Sequence, residues 1–582
     1  MNATHIRRRP AAAGGALAAQ VHPVLRRVYA ARGVTDDQEL DLSLRRLLPI
    51  GSLEGVDDAA RLLAAHRQRG RVLIVGDFDA DGATSSALMV RALRAMRFAH
   101  VDFLVPDRFR FGYGLTPEIV DCAAARRPTL IVTVDNGVSS IDGVEAARAL
   151  GIEVLVTDHH LPGKALPRAD VIVNPNLPRS AFGSPSLAGV GVAFYVVAAL
   201  ANAADGHDFK PAELLDLVAL GTVADVVPLD QNNRILVANG LQRIRAGRCV
   251  PGIRALLEAA ARKPERVTAA DLGFAAAPRL NAAGRLADMC VGIECLLADG
   301  MEAAASLAAQ LSRLNEERRE IERRMHTEAV DIAAAVQSAA DGGAPLGLCL
   351  FDETWHQGVV GLVAGRIKDR LHRPVIAFAR AADGTLRGSA RSIAGVHIRD
   401  ALDSVAARNP GLIDKFGGHA MAAGLSLRME NLGDFRAAFA AEIAARVDPA
   451  SIGGVIHSDG ELDAAELSLD TARALAAGGP WGQGFPEPTF DGEFDVLEAR
   501  IVGERHLKLK LRAARAAGAF AAEPLDAIAF GYADDGAAAA APLRPGVRVT
   551  AAYRLEVNEY NGRSRVQLNC QHLLRPGGAE SA

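Results

Sequence analysis

The sequence predicts an α/β protein: two α/β domains joined by a long helix, with a small β-barrel at the C-terminal end. Three observations lead there. First, four short Val/Ile/Leu runs alternate with stretches of helical spacing: RVLIVGDFDADG (71–82), TLIVTVDNG (129–137), IEVLVTDHH (152–160) and VIVNPN (171–176). Second, residues 301–340 contain neither Pro nor Gly. Third, ARIVGERHLKLKLRAA (499–514) alternates apolar and polar residues.

Short apolar runs without alternation read as strands covered on both faces, as in a parallel sheet. Between them, TSSALMVRALRAM (84–96) opens on Thr and Ser and then spaces its apolar residues as a helix does. DGVEAARAL (142–150) is followed by Gly151, a helix-ending residue. The βαβαβ order is that of a doubly wound domain. The charged centre of 301–340 predicts a partly solvated connector helix. LGLCLF (346–351) then opens a second α/β unit that closes near VDPASIGGV (447–455). From 455 to 576 the pattern is mainly β. Leu507, Leu509 and Leu511 share one face; His506, Lys508, Lys510 and Arg512 share the other. YRLEVNEYNGRSRVQLNC (553–570) is a hairpin turning at Asn561-Gly562. Residues 1–45 form an Arg- and Ala-rich extension with little chemistry.

Composition bounds the function. The 582 residues are 49% hydrophobic and 23% charged, an ordinary globular balance that excludes a mostly disordered chain. Lys+Arg is 65 against Asp+Glu 69, a net charge of −4, which excludes a uniformly basic coat but not a local basic groove. Only seven of the basic residues are Lys. Aromatics are 5%, so few platforms exist for base stacking. The six Cys form no CxxC pair, which predicts reduced, buried thiols rather than zinc or disulfides. The start lacks the apolar core of a signal peptide, and no run of about 18 apolar residues occurs, so a cytoplasmic protein with no membrane contact is expected.

The chemistry concentrates at the predicted strand ends. Asp77, Asp79, Asp81, Asp135, Asp158, His159 and His160 all follow apolar runs. That edge is where open α/β sheets bind ligands. Crowded carboxylates repel one another unless a cation neutralises them. Mostly oxygen donors with one or two imidazoles suit Mn²⁺ or Mg²⁺. So many carboxylates exceed the needs of one hydrated ion, and two ions about 3.5–4 Å apart fit better. No Ser or Cys triad is evident.

DFDADG, VDNG and DHH, in this order, resemble the DHH phosphoesterase superfamily, and ALGTVADVVPL (219–229) matches its last acidic motif. Further matching stretches are PDRFRFGYGL (106–115), APRLNAAGR (277–285), WHQGVVGLVAGRI (355–367), GSARS (388–392), FGGHAMAAG (416–424) and WGQGFPEP (481–488). The full set, over about residues 45–575, resembles the bacterial RecJ family of single-strand-specific exonucleases. The resemblance implies a DHH catalytic domain at 46–300, a connector helix at 301–340, a DHHA1 substrate-binding domain at 341–450 and an OB-type nucleic-acid-binding barrel at 455–576.

Carried over residue by residue, the resemblance implies metal ligands at Asp79, Asp81, Asp135, His159 and Asp225. His160 would face the scissile phosphate, and Asp158 would orient the imidazoles. Asp77 is a ligand or a turn residue. Related pyrophosphatases carry a ligand His where Val75 stands, so one metal must be held differently here. Arg108, Arg279, Ser389 and Arg391 would hold a 5′-terminal phosphate. Tyr113 would stack on a base, Gly417 and Gly418 would let backbone N–H groups approach a phosphate, and His419 would add a donor. His356 either joins them or packs the second domain with Trp355. Lys508 and Lys510 would line a phosphate-tracking face. The implied activity is 5′→3′ hydrolysis of single-stranded DNA to 5′-mononucleotides, by in-line attack of a metal-activated water, in recombination and repair. A helicase and a single-strand-binding protein are the expected partners. The rivals are an oligoribonuclease or cyclic-dinucleotide phosphodiesterase of the same superfamily, and a non-catalytic DNA-binding scaffold.

Overall fold

Every residue of Leu130–Val134 is buried, as are 72–76 and 154–157. Such runs belong inside a sheet covered on both sides. The computed structural model describes residues 4–10, 17–18, 20–107, 109–203, 207–338, 345–447, 453–503, 505–514, 523–532, 543–560 and 562–574. They form two compact units. The larger comprises Ile6–Leu280, Met289–Ala308 and Ile456–Ala582; the smaller centres on Ala309–Val455 and includes Asn281–Asp288.

In the larger unit, β1 (Arg71–Gly76), β2 (His100–Leu104), β3 (Leu130–Val134), β4 (Glu153–Thr157) and β5 (Val171–Val173) form a parallel sheet in the order β2-β1-β3-β4-β5. The chain leaves β1 on one side for β2 and returns on the other as β3. The carboxyl ends of β1 and β3 therefore border the switch point of the sheet. Helix α1 (Ala80–Ala95) starts earlier than Thr84 because Asp79 caps it, accepting from the amides of Asp81 (2.9 Å) and Gly82 (3.0 Å). Helices α2 (Gly189–Ala203) and α3 (Leu215–Ala224) are apolar nearly all round and correspondingly buried.

The smaller unit holds a mixed sheet of β6 (Leu348–Phe351), β7 (Val375–Arg380), β8 (Leu386–Arg391), β9 (Lys415–Gly418) and β10 (Ala422–Leu427), in the order β9-β10-β8-β7-β6. Only β6 and β7 pair in parallel. Alternation along β7 divides the core. Val375, Ala377 and Ala379 pack with the long helix α4 (Met301–Ser338) and with α5 (Val360–Leu371). Ile376 and Phe378 face Phe435 and Phe439 on the other side. The charged centre of α4 is partly solvated: Glu316, Glu317, Arg319, Glu320, Arg323 and Arg324 are exposed. Asn315, Arg318 and Glu322 are buried, and Glu322 pairs with both Arg318 and Arg366. A buried carboxylate needs such partners to stay charged.

The C-terminal segment forms a closed barrel of β11 (Phe490–Val502), β12 (His506–Ala513), β13 (Leu525–Ala529), β14 (Arg548–Tyr560) and β15 (Arg563–Leu574), in the order β11-β12-β13-β15-β14. Leu507, Leu509 and Leu511 point into it, while Lys510 and Arg512 are exposed. The β14–β15 hairpin turns through Gly562 at φ +74°; Asn561 lies outside the described residues. The N-terminal segment does more than expected. Its helix Pro23–Ala30 sets Tyr29 against Trp481 and Phe485, with ring centroids 6.0 and 6.2 Å away. Among the described residues, no helix is long and apolar enough to cross a membrane. Cys295, Cys349 and Cys570 are buried as expected, whereas Cys122 is exposed.

Leu509→Ala is expected to cost the barrel about 2–5 kcal/mol through an unfilled cavity. Lys508→Ala, on the opposite face of the same strand, should stay within about 0.5 kcal/mol. Differential scanning calorimetry of the two variants checks the assigned alternation.

Candidate metal centre

Each acidic residue gets its position from the end of a secondary-structure element. Asp77 follows β1, and Asp79 caps α1. Asp135 follows β3 with its backbone at φ +61°, a conformation that costs a non-glycine residue on the order of 1 kcal/mol or more. Its amide still donates to the Thr157 carbonyl at 3.0 Å, so the strain does not interrupt the sheet. Asp158, His159 and His160 follow β4. Asp225 caps the C-terminal end of α3, and Val226 beside it also has φ +61°. A β-branched residue in that region is a genuine backbone outlier.

The side chains converge. Asp77, Asp79 and Asp135 place ligand atoms within 4.8 Å of one another; so do Asp81, His159 and Asp225. Asp135 joins the two groups, with Oδ1 3.1 Å from His159 Nε2, which lies 3.5 Å from Asp225 Oδ2. Asp135, His159 and His160 form a third overlapping group. Asp77, left open from sequence, thus stands inside the cluster, while Asp158 belongs to none of these groups. Its Oδ2 accepts from the Val138 amide at 2.9 Å; its Oδ1 accepts from the amides of His159 (2.7 Å) and His160 (3.1 Å) and pairs with His160 Nδ1 at 2.8 Å. Asp158 therefore orients the His160 ring directly, and His159 through its backbone.

Burial forces the carboxylates to want partners. Burial, with Asp79 nearby, pushes Asp81 up to about 7, although the amides of Gly189 and Val190 donate to it at 2.7 and 2.9 Å. Burial first, then the charge of Asp81, raises Asp135 and Asp225 well above the usual carboxylate range. Burial works against the Asp158 carboxylate too, but its bond to His160 outweighs this and holds it low. Burial likewise opposes the His160 charge, yet Asp158 wins and raises the imidazole to about 9. Asp135 Oδ1 is buried and accepts no hydrogen bond. A buried carboxylate oxygen that accepts no hydrogen bond and faces the His159 nitrogen, among other oxygen and imidazole groups, fits a hard divalent cation.

Several positioning residues escaped sequence reasoning. Asn136 ties the switch point together, donating to the carbonyls of Val75 (3.1 Å) and Val134 (2.9 Å) on adjacent strands. Asn174 and Asn176 donate to the carbonyls of His160 and His159, at 2.9 and 2.6 Å. Their signal was an Asn next to, or one strand away from, a ligand. Gly189 and Gly221 lie in helices, where Gly weakens the element. A Cβ on Gly189 would lie 2.6 Å from Asp135 Oδ1, and one on Gly221 would lie 2.8 Å from Asp81 Oδ1.

The residues expected to touch nucleic acid divide into groups. Arg108 lies outside the described residues. Tyr113 donates to the Asp135 carbonyl at 3.1 Å and lies 3.1 Å from His160 Nδ1; the residue as a whole is 47% exposed. Arg279 donates to the carbonyls of Ala275 (2.6 Å) and Ala259 (3.2 Å). In the smaller unit, Ser389 and Arg391 share one face of β8, and Arg391 Nη1 donates to Ser389 Oγ at 2.9 Å. Cross-strand register places Gly424 opposite Ser389 and Gly417 opposite Gly424. Ser389, Gly424 and Gly417 thus make one row without bulky side chains beside Arg391. Gly361, in the first turn of α5, borders it: a Cβ there would meet Arg391 Nη2 at 2.8 Å. A guanidinium, a hydroxyl and a helix N-terminus together suit an anion. Gly418 has φ +140°, and His419 is exposed. His356 accepts from the Gly358 amide at 3.1 Å, and Trp355 is buried with Nε1 donating to Glu328 at 2.9 Å. On the barrel, Lys508 and Lys510 do point outward, but Lys510 lies 3.7 Å from Glu498, and Asp526 is its other cross-strand neighbour. That face is mixed in charge rather than a continuous basic stripe.

In the metal-free protein, the folded value of Asp81 near 7 lies above its ordinary value of 3.8. Its contribution to stability is complete below the unfolded value and is lost as pH rises through the folded one. The thermal midpoint of the metal-free protein should therefore fall between about pH 4 and about pH 7 and level off above that, and the stabilisation by added Mn²⁺ should grow over the same range. Calorimetry at several pH values checks this; a constant gap between the two forms would count against it.

Comparison with known proteins agrees with this geometry. Family models match three stretches: the DHH family N-terminal domain over residues 71–222, the DHHA1 domain over 342–445 and the RecJ OB domain over 458–572. The chain is 53% identical to the single-stranded-DNA-specific exonuclease RecJ of Dickeya dadantii, covering 98% of this chain and 99% of that protein. It is 51% identical to the protein of the same name from Escherichia coli, covering 97% and 98%. The crystal structure of RecJ in complex with Mn²⁺ from Thermus thermophilus matches with a TM-score of 0.80 at 32% identity, covering 99% of this chain and 80% of that one. With full-length identity at this level, the same three domains and the same fold around an acidic metal centre, the chain belongs to the RecJ family of single-stranded-DNA-specific exonucleases.

Proposed function

We propose that the chain is a metal-dependent exodeoxyribonuclease that degrades single-stranded DNA from the 5′ end and releases 5′-mononucleotides during recombination and repair. The observation that carries this reading is the pair of acidic groups joined through Asp135 at the switch point of the sheet. Asp79, Asp81, Asp135, His159 and Asp225 would hold two Mn²⁺ or Mg²⁺ ions, with Asp77 close enough to share one of them. Two such cations neutralise charge on a phosphodiester and lower the pKa of water. Asp158 holds the proton of His160 at Nδ1, which leaves the Nε2 edge of the ring for a phosphate oxygen. Tyr113, an exposed residue, keeps its hydroxyl on the Asp135 carbonyl and would offer its ring to a base.

On this reading residues 46–300 carry the chemistry, following the 1–45 extension. The resemblance assigns phosphate binding to Ser389, Arg391, Gly417, Gly418 and His419 in 341–450, which follow the helix Met301–Ser338, and to Arg108 and Arg279 in 46–300. The barrel at 455–576 tracks the strand through Lys508 and Lys510. A helicase and a single-strand-binding protein supply the substrate, in the cytoplasm.

Strands labelled at either end, digested with Mn²⁺, test the direction: mononucleotides should come first from the 5′ label, and release from the 3′ end would sink the reading. Asp135→Ala should abolish cleavage while leaving strand binding in place. Arg391→Ala should weaken binding of a 5′-phosphorylated strand by about tenfold to a hundredfold, from the loss of about 1.5–3 kcal/mol of charge-assisted hydrogen bonding. A 5′-hydroxyl strand should be affected much less.

A further inference from the structure

The Trp481–Phe485 turn precedes the barrel and carries none of the chemistry above, yet it is built with unusual care. Trp481 and Phe485 stack with centroids 5.2 Å apart and planes 11° apart. Trp481 Nε1 donates to the Leu475 carbonyl at 3.0 Å. Two buried or half-buried arginines clamp the pair: Arg234 lies 4.2 Å from the Phe485 ring, and Arg32 lies 5.4 Å from the Trp481 ring while it forks onto Asp459 at 2.8 and 3.0 Å.

The turn presses on the segment that follows a proposed metal ligand. The carbonyl of Gln483 accepts from the Leu229 amide at 2.7 Å. A Cβ on Gly482 would lie 2.7 Å from Leu229 Cδ1, and one on Gly484 would lie 3.2 Å from Pro228 Cβ. Leu229 is four residues beyond Asp225, and between them Val226 holds φ +61°. From the other side Asn233 donates to the Pro228 carbonyl at 2.9 Å. A strained backbone persists only where its surroundings over-determine it. Here those surroundings are a hydrogen bond and two close glycine contacts supplied by the turn.

We infer that the Trp481–Phe485 turn is the positioning element for Asp225: it fixes Pro228 and Leu229, and through them the strained Val226 backbone that aims the carboxylate at His159 and Asp81. Metal affinity in the catalytic domain then depends on a turn outside it. A turn that is mere packing would affect stability without affecting the metal.

The inference rests on the metal reading above. Mn²⁺ titrated calorimetrically into the full-length protein without DNA tests both. Gly482→Val should lower Mn²⁺ affinity by about tenfold, the loss expected when a support behind a ligand shifts. Leu509→Ala, which loosens the barrel that follows the turn without touching Pro228 or Leu229, should leave the affinity unchanged although it lowers the thermal midpoint. Should Gly482→Val fail to fold, Gly484→Ala, strained by its φ of +71°, carries the same expectation. Unchanged affinity in the glycine variant, or an equal loss in Leu509→Ala, overturns the inference. Absence of Mn²⁺ binding by the unmodified protein overturns the metal reading instead.

Discussion

The mutual repulsion of buried carboxylates is the constraint on which the rest of the larger unit depends. Asp77, Asp81 and Asp135 are nearly inaccessible to solvent, and Asp79 and Asp225 stand beside them. In a medium of low polarity such a group is tolerated only if protons or cations neutralise it. The fold reduces the cost by giving some of the carboxylate oxygens hydrogen-bond donors. Asp79 caps α1, Asp81 takes two amides at the start of α2, and Asp158 is consumed by two histidines and the Val138 amide. What is left over is a set of oxygens and one imidazole nitrogen facing one another across a few ångströms.

The same constraint explains where the backbone is strained and where glycine is required. Asp135 and Val226 hold positive φ at or beside residues of the acidic cluster. Gly189 and Gly221 let helices approach the carboxylates more closely than any side chain permits. Asn136, Asn174 and Asn176 secure the loops by accounting for backbone carbonyls that the sheet has finished using. A catalytic edge of this kind is held in place by residues that never meet substrate.

Charge on the substrate-facing surfaces follows a different logic. A net of −4 counts a buried acidic cluster that divalent ions would largely neutralise, so it says little about the field that a polyanion meets. Arginine dominates the basic pool, and the planar fork of Arg391 beside Ser389 suits an anion. The barrel offers fewer unopposed cations than its alternation pattern suggested, because Glu498 and Asp526 flank Lys510 across the strands.

Much of this was legible in sequence. Apolar runs announced the parallel strands because strands buried on both faces leave no polar positions, and the acidic and histidine residues of the cluster stood at their ends. Strict alternation announced the barrel strand at 506–513, since one face had to be apolar. Other features were not legible, because they depend on residues distant in the chain. The strand order that makes β1 and β3 the switch point is one. The burial of Arg318 and Glu322, which reads as solvated charge until Arg366 arrives from another helix, is a second. A third is the packing of Tyr29 and Arg32 on a turn more than 440 residues away. The sequence by itself determined which atoms can bind a cation and which elements carry them. Only the tertiary structure decided which of those atoms meet, because ligand geometry is set by side chains and loops converging from separate strand ends, and no local pattern encodes that convergence.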